Sequence, residues 1–201
     1  MTIIAILICA YLAGSIPTGV WYSKLVHKID VRTLGSGNSG GTNVGRNFGP
    51  IAALIVIAVD VLKGWIPMAI AKHHFAGQMD WVVMLVGILA VLGHAYPLFG
   101  DFRGGKVVAT SIGVMLGYHF SLALIQVFLL VVFLYLSSMV SFAAMTSYLC
   151  GVIWIIMKHH LVYGIGFALI SIFMMYRHRQ NIQRILNGNE RRVSWGLGKK
   201  K

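Results

Sequence analysis

The chain has 201 residues, of which 58% are hydrophobic and only 11% charged, against roughly 25% charged in an ordinary soluble domain. No soluble core of this size absorbs that apolar surplus, so the composition excludes a soluble globular domain and points to an all-α, polytopic transmembrane helical bundle. The formal net charge of +12 is what loops rich in Lys and Arg produce beside membrane spans, which makes the lipid bilayer the expected partner and argues against nucleic acid.

A spanning helix needs about 20 mainly apolar residues, because a bilayer core of about 30 Å is crossed at 1.5 Å per residue. Seven candidate segments follow in chain order: Thr2 to Val26, Pro50 to Ala71, Met79 to Pro97, Val107 to Tyr118, Ser121 to Ser137, Phe142 to Met157 and Leu161 to Tyr176. The fourth is short for a span and reads as a tilted or partly inserted helix. The first begins at Met1 with no basic stretch before it, so it is expected to be a retained span and not a cleaved leader. Cys9 and Cys150 lie far apart inside apolar runs, without metal or redox spacing, and read as packing residues. Trp65, Trp81 and Trp154 fall near expected helix ends, at headgroup level.

Lys and Arg in short loops are retained on the cytoplasmic side. With seven spans and the N-terminus outside, one side receives fourteen of the seventeen basic residues, from Lys24 and Lys28 to the C-terminal cluster, and the other only Lys72 and Lys158. That split predicts an external N-terminus, a cytoplasmic C-terminus and one domain over residues 1–201.

Three polar stretches fall on the predicted cytoplasmic side. In the first, Gly35, Gly37 and Gly40 satisfy G-x-G-x-x-G, but the segment follows a membrane helix and no strand-helix-strand unit surrounds it, so a dinucleotide site is not indicated. Ser36, Asn38, Ser39, Thr42 and Asn43 nonetheless supply donors and Arg46 a planar cation, which is anion-binding chemistry. The second, Gly100 to Lys106, meets the G-x-x-x-x-G-K part of a phosphate loop, but Val107 stands where a triphosphatase needs Ser or Thr for magnesium. Gly104, Gly105 and Lys106 still open an apolar helical run, where exposed amides, helix dipole and ammonium can converge on a phosphate.

The third stretch reads Tyr176-Arg177-His178-Arg179-Gln180-Asn181. Arg177 and Arg179 suffice as headgroup anchors, while His178 and Asn181, one helical turn apart, add a candidate base and further donors. Glu190, the sole glutamate, sits among Arg184, Arg191 and Arg192, and pairing or helix capping explains it. Asp60 and Lys63 lie inside the second span at i, i+3, as a structural ion pair or as a relay in a transporter. His94 reads as a hydrogen-bonded bundle residue. No histidine has carboxylate or Cys partners at ligand spacing, so neither metal nor cofactor is indicated.

Taken in order, these segments resemble the bacterial acyl-phosphate:glycerol-3-phosphate acyltransferases, the PlsY family. The resemblance runs through Gly14-Ser15-Ile16-Pro17, Gly35-Ser36-Gly37-Asn38 with Gly41-Thr42-Asn43 and Arg46, and Asp60-Val61-Leu62-Lys63-Gly64. It continues through Gly93-His94-Ala95-Tyr96-Pro97, Gly104-Gly105-Lys106 with Ala109-Thr110, Val140-Ser141, and Arg177-His178-Arg179 with Asn181-Ile182. Val107 departs from the family, which usually has glycine there. The resemblance implies an enzyme of the cytoplasmic membrane, active on its inner face, that moves a fatty acyl group from acyl-phosphate to glycerol 3-phosphate. The products are lysophosphatidic acid and phosphate, in the first acylation of bacterial phospholipid synthesis.

The expected catalytic set is His178, Asn181, Lys106, Ser36 and Arg46. Ser36, Asn38, Thr42, Asn43, Arg46, Gly104, Gly105, Lys106, Ser141, Arg177 and Asn181 are expected to bind substrate or phosphate, with the amides near Gly104 and Gly105 facing the developing oxyanion. Asp60, Lys63 and Glu190 are assigned to structure. No Ser stands in a triad pattern, so the glycerol hydroxyl attacks directly, with His178 or the acyl-phosphate's own phosphate as base. His-x-x-x-x-Asp occurs at none of the histidines, which argues against an acyl-CoA type. The main alternative is a transporter of a phosphorylated small solute. A phosphatidyl-alcohol transferase would need metal-binding acids, and five scattered acidic residues do not supply them.

Overall fold

A computed structural model describes residues 2–158 and 160–199. Ten α-helices and no strand occur among the described residues, and the chain divides into two compact units, Met1–Tyr118 and His119–Lys201.

In the first unit, α1 (Ile3–Gly14) starts where the Thr2 hydroxyl accepts the Ala5 N–H. It stops at Gly14-Ser15-Ile16-Pro17, because Pro17 has no N–H and disfavours a helical Ile16. The chain resumes as α2 (Thr18–His27), bent 41° from α1. The first expected span is therefore a broken one. A short helix, α3 (Gly41–Phe48), leads across Gly49 into α4 (Pro50–Phe75), whose first residue is a proline preset for a helix start. Next come α5 (Asp80–Ala95) and α6 (Val108–Tyr118).

The helices of this unit meet through small residues. A Cβ on Gly64 would stand 2.2 Å from the Thr110 carbonyl oxygen, and one on Gly113 would stand 2.0 Å from that of Val61. Only glycine lets the backbones of α4 and α6 approach so closely, the usual solution where apolar burial cannot drive helix association.

Asp60 and Lys63 of α4 are 2% and 6% exposed and pair at 2.8 Å. Lys63 Nζ also donates to the Ile16 carbonyl at 2.9 Å, and Thr18 Oγ1 donates to Asp60 Oδ1 at 3.0 Å. The pair thus serves the carbonyl and hydroxyl exposed by the break between α1 and α2. His94 Nδ1 lies 3.7 Å from the same Asp60 oxygen.

The second unit contains α7 (Phe120–Ser137), α8 (Val140–Met157), α9 (Leu161–Arg177) and α10 (Arg179–Leu186). His178 forms the junction at which α10 turns 63° from α9. Among the described residues, four helical segments are long and apolar enough to cross a membrane: Pro50–Phe75, Asp80–Gly100, Phe120–Ser137 and Val140–Met157. Counting each bent pair as one span gives up to six. The remaining expected segment, α6, has 11 residues, about 16 Å of helix against a core of about 30 Å. Trp81 and Trp154 do lie near helix ends, but Trp65 sits well inside α4, which runs on to Phe75.

Replacing one member of the buried pair strands the other's charge. Lys63→Met is expected to cost about 3–5 kcal/mol, while Asp60→Asn/Lys63→Met costs less than the single change because no bare carboxylate remains. Thermal unfolding of the three proteins in the same detergent gives the order; a double variant no better than the single one would contradict it.

Candidate active site

The first glycine-rich loop is organised by two side chains. Arg32 grips Asp30 through Nε and Nη2, at 3.0 and 2.8 Å, and reaches the loop before α6 by donating from Nη1 to the Gly100 carbonyl at 2.7 Å and from Nη2 to Asp101 at 3.3 Å. The Arg32 guanidinium beside Asp30 holds its carboxyl well below the usual carboxylate range. Two loops distant in sequence are thereby tied together. Only the acid-x-base spacing of Asp30 and Arg32 hinted at this.

Asn43 is the second organiser, and here the sequence expectation is corrected. Its Nδ2 lies within hydrogen-bond distance of the carbonyls of Val31, Leu34 and Asn38, while its Oδ1 accepts the Ser36 N–H. At 2% exposure with its amide consumed by the loop, Asn43 shapes the site and has no donor for a phosphate. Asn38 Oδ1 is likewise engaged, by the Gly40 N–H. Ser36, Thr42 and Arg46 are exposed around this scaffold.

The second loop brings another correction. The Gly104 N–H donates to the Ala95 carbonyl and the Gly105 N–H to that of His94, both at 3.1 Å. These two amides are already satisfied, so they are not the oxyanion donors the sequence suggested. Their glycines serve close approach instead: a Cβ on Gly105 would stand 2.0 Å from His94 Nε2. The His94 ring therefore lies directly under the loop that carries half-buried Lys106. Pro17, Thr18, Ser39, Asp60, Lys63 and His94 line a narrow crevice in this unit, a grouping that sequence spacing does not reveal.

Val107, the departure from the family pattern, is fully buried with φ at 63°. The position needs a left-handed backbone, which glycine adopts freely and a β-branched residue only under strain. Val107→Gly relieves about 1–2 kcal/mol of strain while losing the buried side chain, whereas Val107→Ala loses its methyls without relief. The glycine variant is therefore expected to be at least as thermostable as the alanine variant, the reverse of the order at an ordinary φ. An alanine variant melting clearly above the glycine one would reject this account.

In the second unit, Ser141, Asn181 and Glu190 form a buried clamp. Ser141 Oγ donates to Glu190 Oε1 at 2.7 Å, and Asn181 Nδ2 donates to Ser141 Oγ at 2.7 Å and to Glu190 Oε1 at 2.6 Å. Arg184 Nε completes it on Glu190 Oε2 at 2.9 Å. An ionised carboxylate only accepts, which fixes which way the Asn181 amide points. The Asn181 amide nitrogen is thus turned to Ser141 and Glu190, so the side chain expected to hold a phosphate is engaged in the clamp. Ser141 Oγ, expected at a substrate, both donates and accepts within the clamp.

His178 is 3% exposed and its Nδ1 lies 2.9 Å from the Met174 carbonyl. A carbonyl can only accept, so Nδ1 carries the proton and, in the neutral ring, Nε2 the lone pair. His178 caps α10, its carbonyl accepting the Ile182 N–H at 2.9 Å, so it stands one turn before Asn181 at the α9–α10 bend. Arg177 ends α9, half-buried, while Arg179 lies on the Tyr176 ring, 4.6 Å from its centroid.

These features define an all-helical integral membrane protein with three polar segments rich in phosphate-binding residue types. A family model described as glycerol-3-phosphate acyltransferase matches residues 4–188. The glycerol-3-phosphate acyltransferase of Bacillus subtilis is 44% identical over 195 residues, covering 97% of this chain and 100% of the relative. That of Geobacillus kaustophilus is 45% identical over 193 residues, covering 94% and 95%. Crystal structures of PlsY, an integral membrane glycerol 3-phosphate acyltransferase, match in the glycerol 3-phosphate form with a TM-score of 0.91 at 36% identity over 96% of each chain. The lysophosphatidic acid form gives 0.86 at 37% identity, over 96% of this chain and 95% of the other. The chain belongs to the glycerol-3-phosphate acyltransferase family and is a multi-pass membrane enzyme of phospholipid synthesis.

Burial pushes the Glu190 carboxyl up, but the hydrogen bonds from Ser141, Asn181 and Arg184 outweigh it and leave the group below its ordinary value of 4.5. A depressed carboxyl contributes fully above its ordinary pKa and loses that contribution as pH falls through the lower, folded value. Thermal stability of the native protein should therefore drop between about pH 5 and pH 3 more steeply than that of Glu190→Gln, which is the less stable at neutral pH. Parallel melting curves across that range would remove Glu190 as the titrating group.

Proposed function

We propose that this enzyme transfers a fatty acyl group from acyl-phosphate to glycerol 3-phosphate, giving lysophosphatidic acid and phosphate without an acyl-enzyme. Support comes from the resemblance of the sequence to the acyl-phosphate-dependent family and from the match to PlsY in its glycerol 3-phosphate and lysophosphatidic acid forms. Exposed Ser36, Thr42 and Arg46, with Lys106, hold phosphate groups, and Arg177 adds charge at the membrane edge. The first-turn amides of α6, which lack intrahelical acceptors, are better placed than those of Gly104 and Gly105 to face the oxyanion.

The glycerol hydroxyl attacks the acyl carbonyl carbon, forming the ester C–O bond. The carbonyl oxygen gathers charge, and collapse breaks the C–O bond to phosphate, which leaves with the electron pair. The hydroxyl proton passes to His178 Nε2 and on to the departing phosphate, or directly to the phosphate. The hydrogen bond from His178 Nδ1 to Met174 is the observation that carries His178 as base, because it fixes the tautomer. Asn181, whose amide nitrogen faces Ser141 and Glu190, presents its carbonyl oxygen as an acceptor for a hydroxyl.

We place this chemistry on the cytoplasmic face, with the N-terminus outside and α6 completing a seventh, short crossing. The lysine and arginine asymmetry supports that orientation. It also favours surface catalysis over transport, since a transporter would distribute its cations along a path.

Purified protein supplied with acyl-phosphate and glycerol 3-phosphate, without metal or coenzyme A, is expected to release phosphate and lysophosphatidic acid in equal amounts; no phosphate release would reject the donor assignment. His178→Ala should lower kcat by about 10²–10⁴-fold, the usual contribution of a general base. Near-normal turnover would leave the phosphate group as the proton acceptor.

A further inference from the structure

The family model ends at residue 188, yet the chain continues with Arg191, Arg192 and Lys199-Lys200-Lys201 against a single acid, Glu190. Residues 191–199 are ordered as a strap along the end of α7. The Val193 N–H donates to the Ser138 carbonyl and the Leu197 N–H to that of Tyr135, each at 2.8 Å, and Ser138 Oγ donates to the Trp195 carbonyl at 2.8 Å. A Cβ on Gly196, at φ 93°, would stand 2.5 Å from the Tyr135 oxygen, so the strap lies directly on the α7 backbone.

Because α7 is long and apolar enough to span, its terminal turn and the strap bound to it stand at the bilayer edge. What the strap presents outward suits that level. Trp195 is 47% and Leu197 68% exposed, beside exposed Arg191, Arg192 and Lys199. Arg192, Ser194 and Lys199 line an open depression of about 540 Å³ with Asn189 and Glu190. Glu190 is the one repulsive element toward an anion, but its oxygens already accept from Ser141, Asn181 and Arg184. An indole at headgroup depth and cations within a Debye length of a charged leaflet are the parts of an interfacial anchor.

We propose that residues 191–199 form an interfacial strap that docks on anionic phospholipid headgroups. An acidic protein would match the cations as well, but the exposed tryptophan and leucine beside a spanning helix favour lipid.

The full-length protein in nanodiscs tests this through quenching of Trp195 by brominated lipid chains, read as the difference between native protein and Trp195→Phe. Discs with about a third phosphatidylglycerol should quench about twofold more than phosphatidylcholine discs. The increase should vanish at about 0.5 M salt, where screening shortens the reach of charge to about 4 Å, and in Arg191→Gln/Arg192→Gln/Lys199→Gln. Equal quenching in both lipids, or an increase that survives either salt or the triple substitution, overturns the proposal. Should the triple variant fail to fold, the salt series on the native protein decides alone.

Discussion

The hydrogen bond from Lys63 to the Ile16 carbonyl is the contact on which the first unit depends. A helix broken inside an apolar run leaves backbone groups without partners, and in a bilayer each such group costs several kcal/mol because no water can serve it. Lys63 supplies the donor, Asp60 neutralises Lys63 and accepts from Thr18 where α2 begins, and both charged residues lie on α4. The break can then persist as architecture. His94 stands beside the same carboxylate, and its carbonyl receives the Gly105 N–H, so the loop bearing Lys106 rests on the residues that stabilise the break.

The second unit uses a buried carboxylate in a related way. Glu190 gathers donors from α8 and α10, at Ser141, Asn181 and Arg184, and its charge is held by fixed hydrogen bonds rather than by water. The consequence reaches the chemistry. An asparagine free to turn could offer a phosphate its hydrogens; one clamped by a carboxylate presents an acceptor. Structural and catalytic assignments are therefore not separable at Asn181, since the residue read as structural dictates what its neighbour can bind.

The membrane class, the approximate limits of the apolar segments and the three polar stretches were legible in the sequence. Apolar length, glycine content and the order of Ser36, Arg46, Lys106, His178 and Asn181 are all properties of the chain read locally. The Asp60 and Lys63 pair was legible too, because an i, i+3 spacing brings two side chains together on any helix. The bends were less so. Pro17 announces the first, but nothing at His178 distinguishes a 63° turn from a helix that frays at the membrane edge.

Sequence by itself thus determined the kind of protein and the inventory of groups available to its site. Tertiary structure alone decided which of those groups remain for a substrate, because a hydrogen bond is assigned by neighbours in space. The amides of Gly104 and Gly105 went to the carbonyls of Ala95 and His94, the side chain of Asn43 to its own loop, and the amide nitrogen of Asn181 to Ser141 and Glu190. These buried donors, which looked free along the chain, had acceptors waiting in the fold, since a buried polar group left unpaired is too costly to keep.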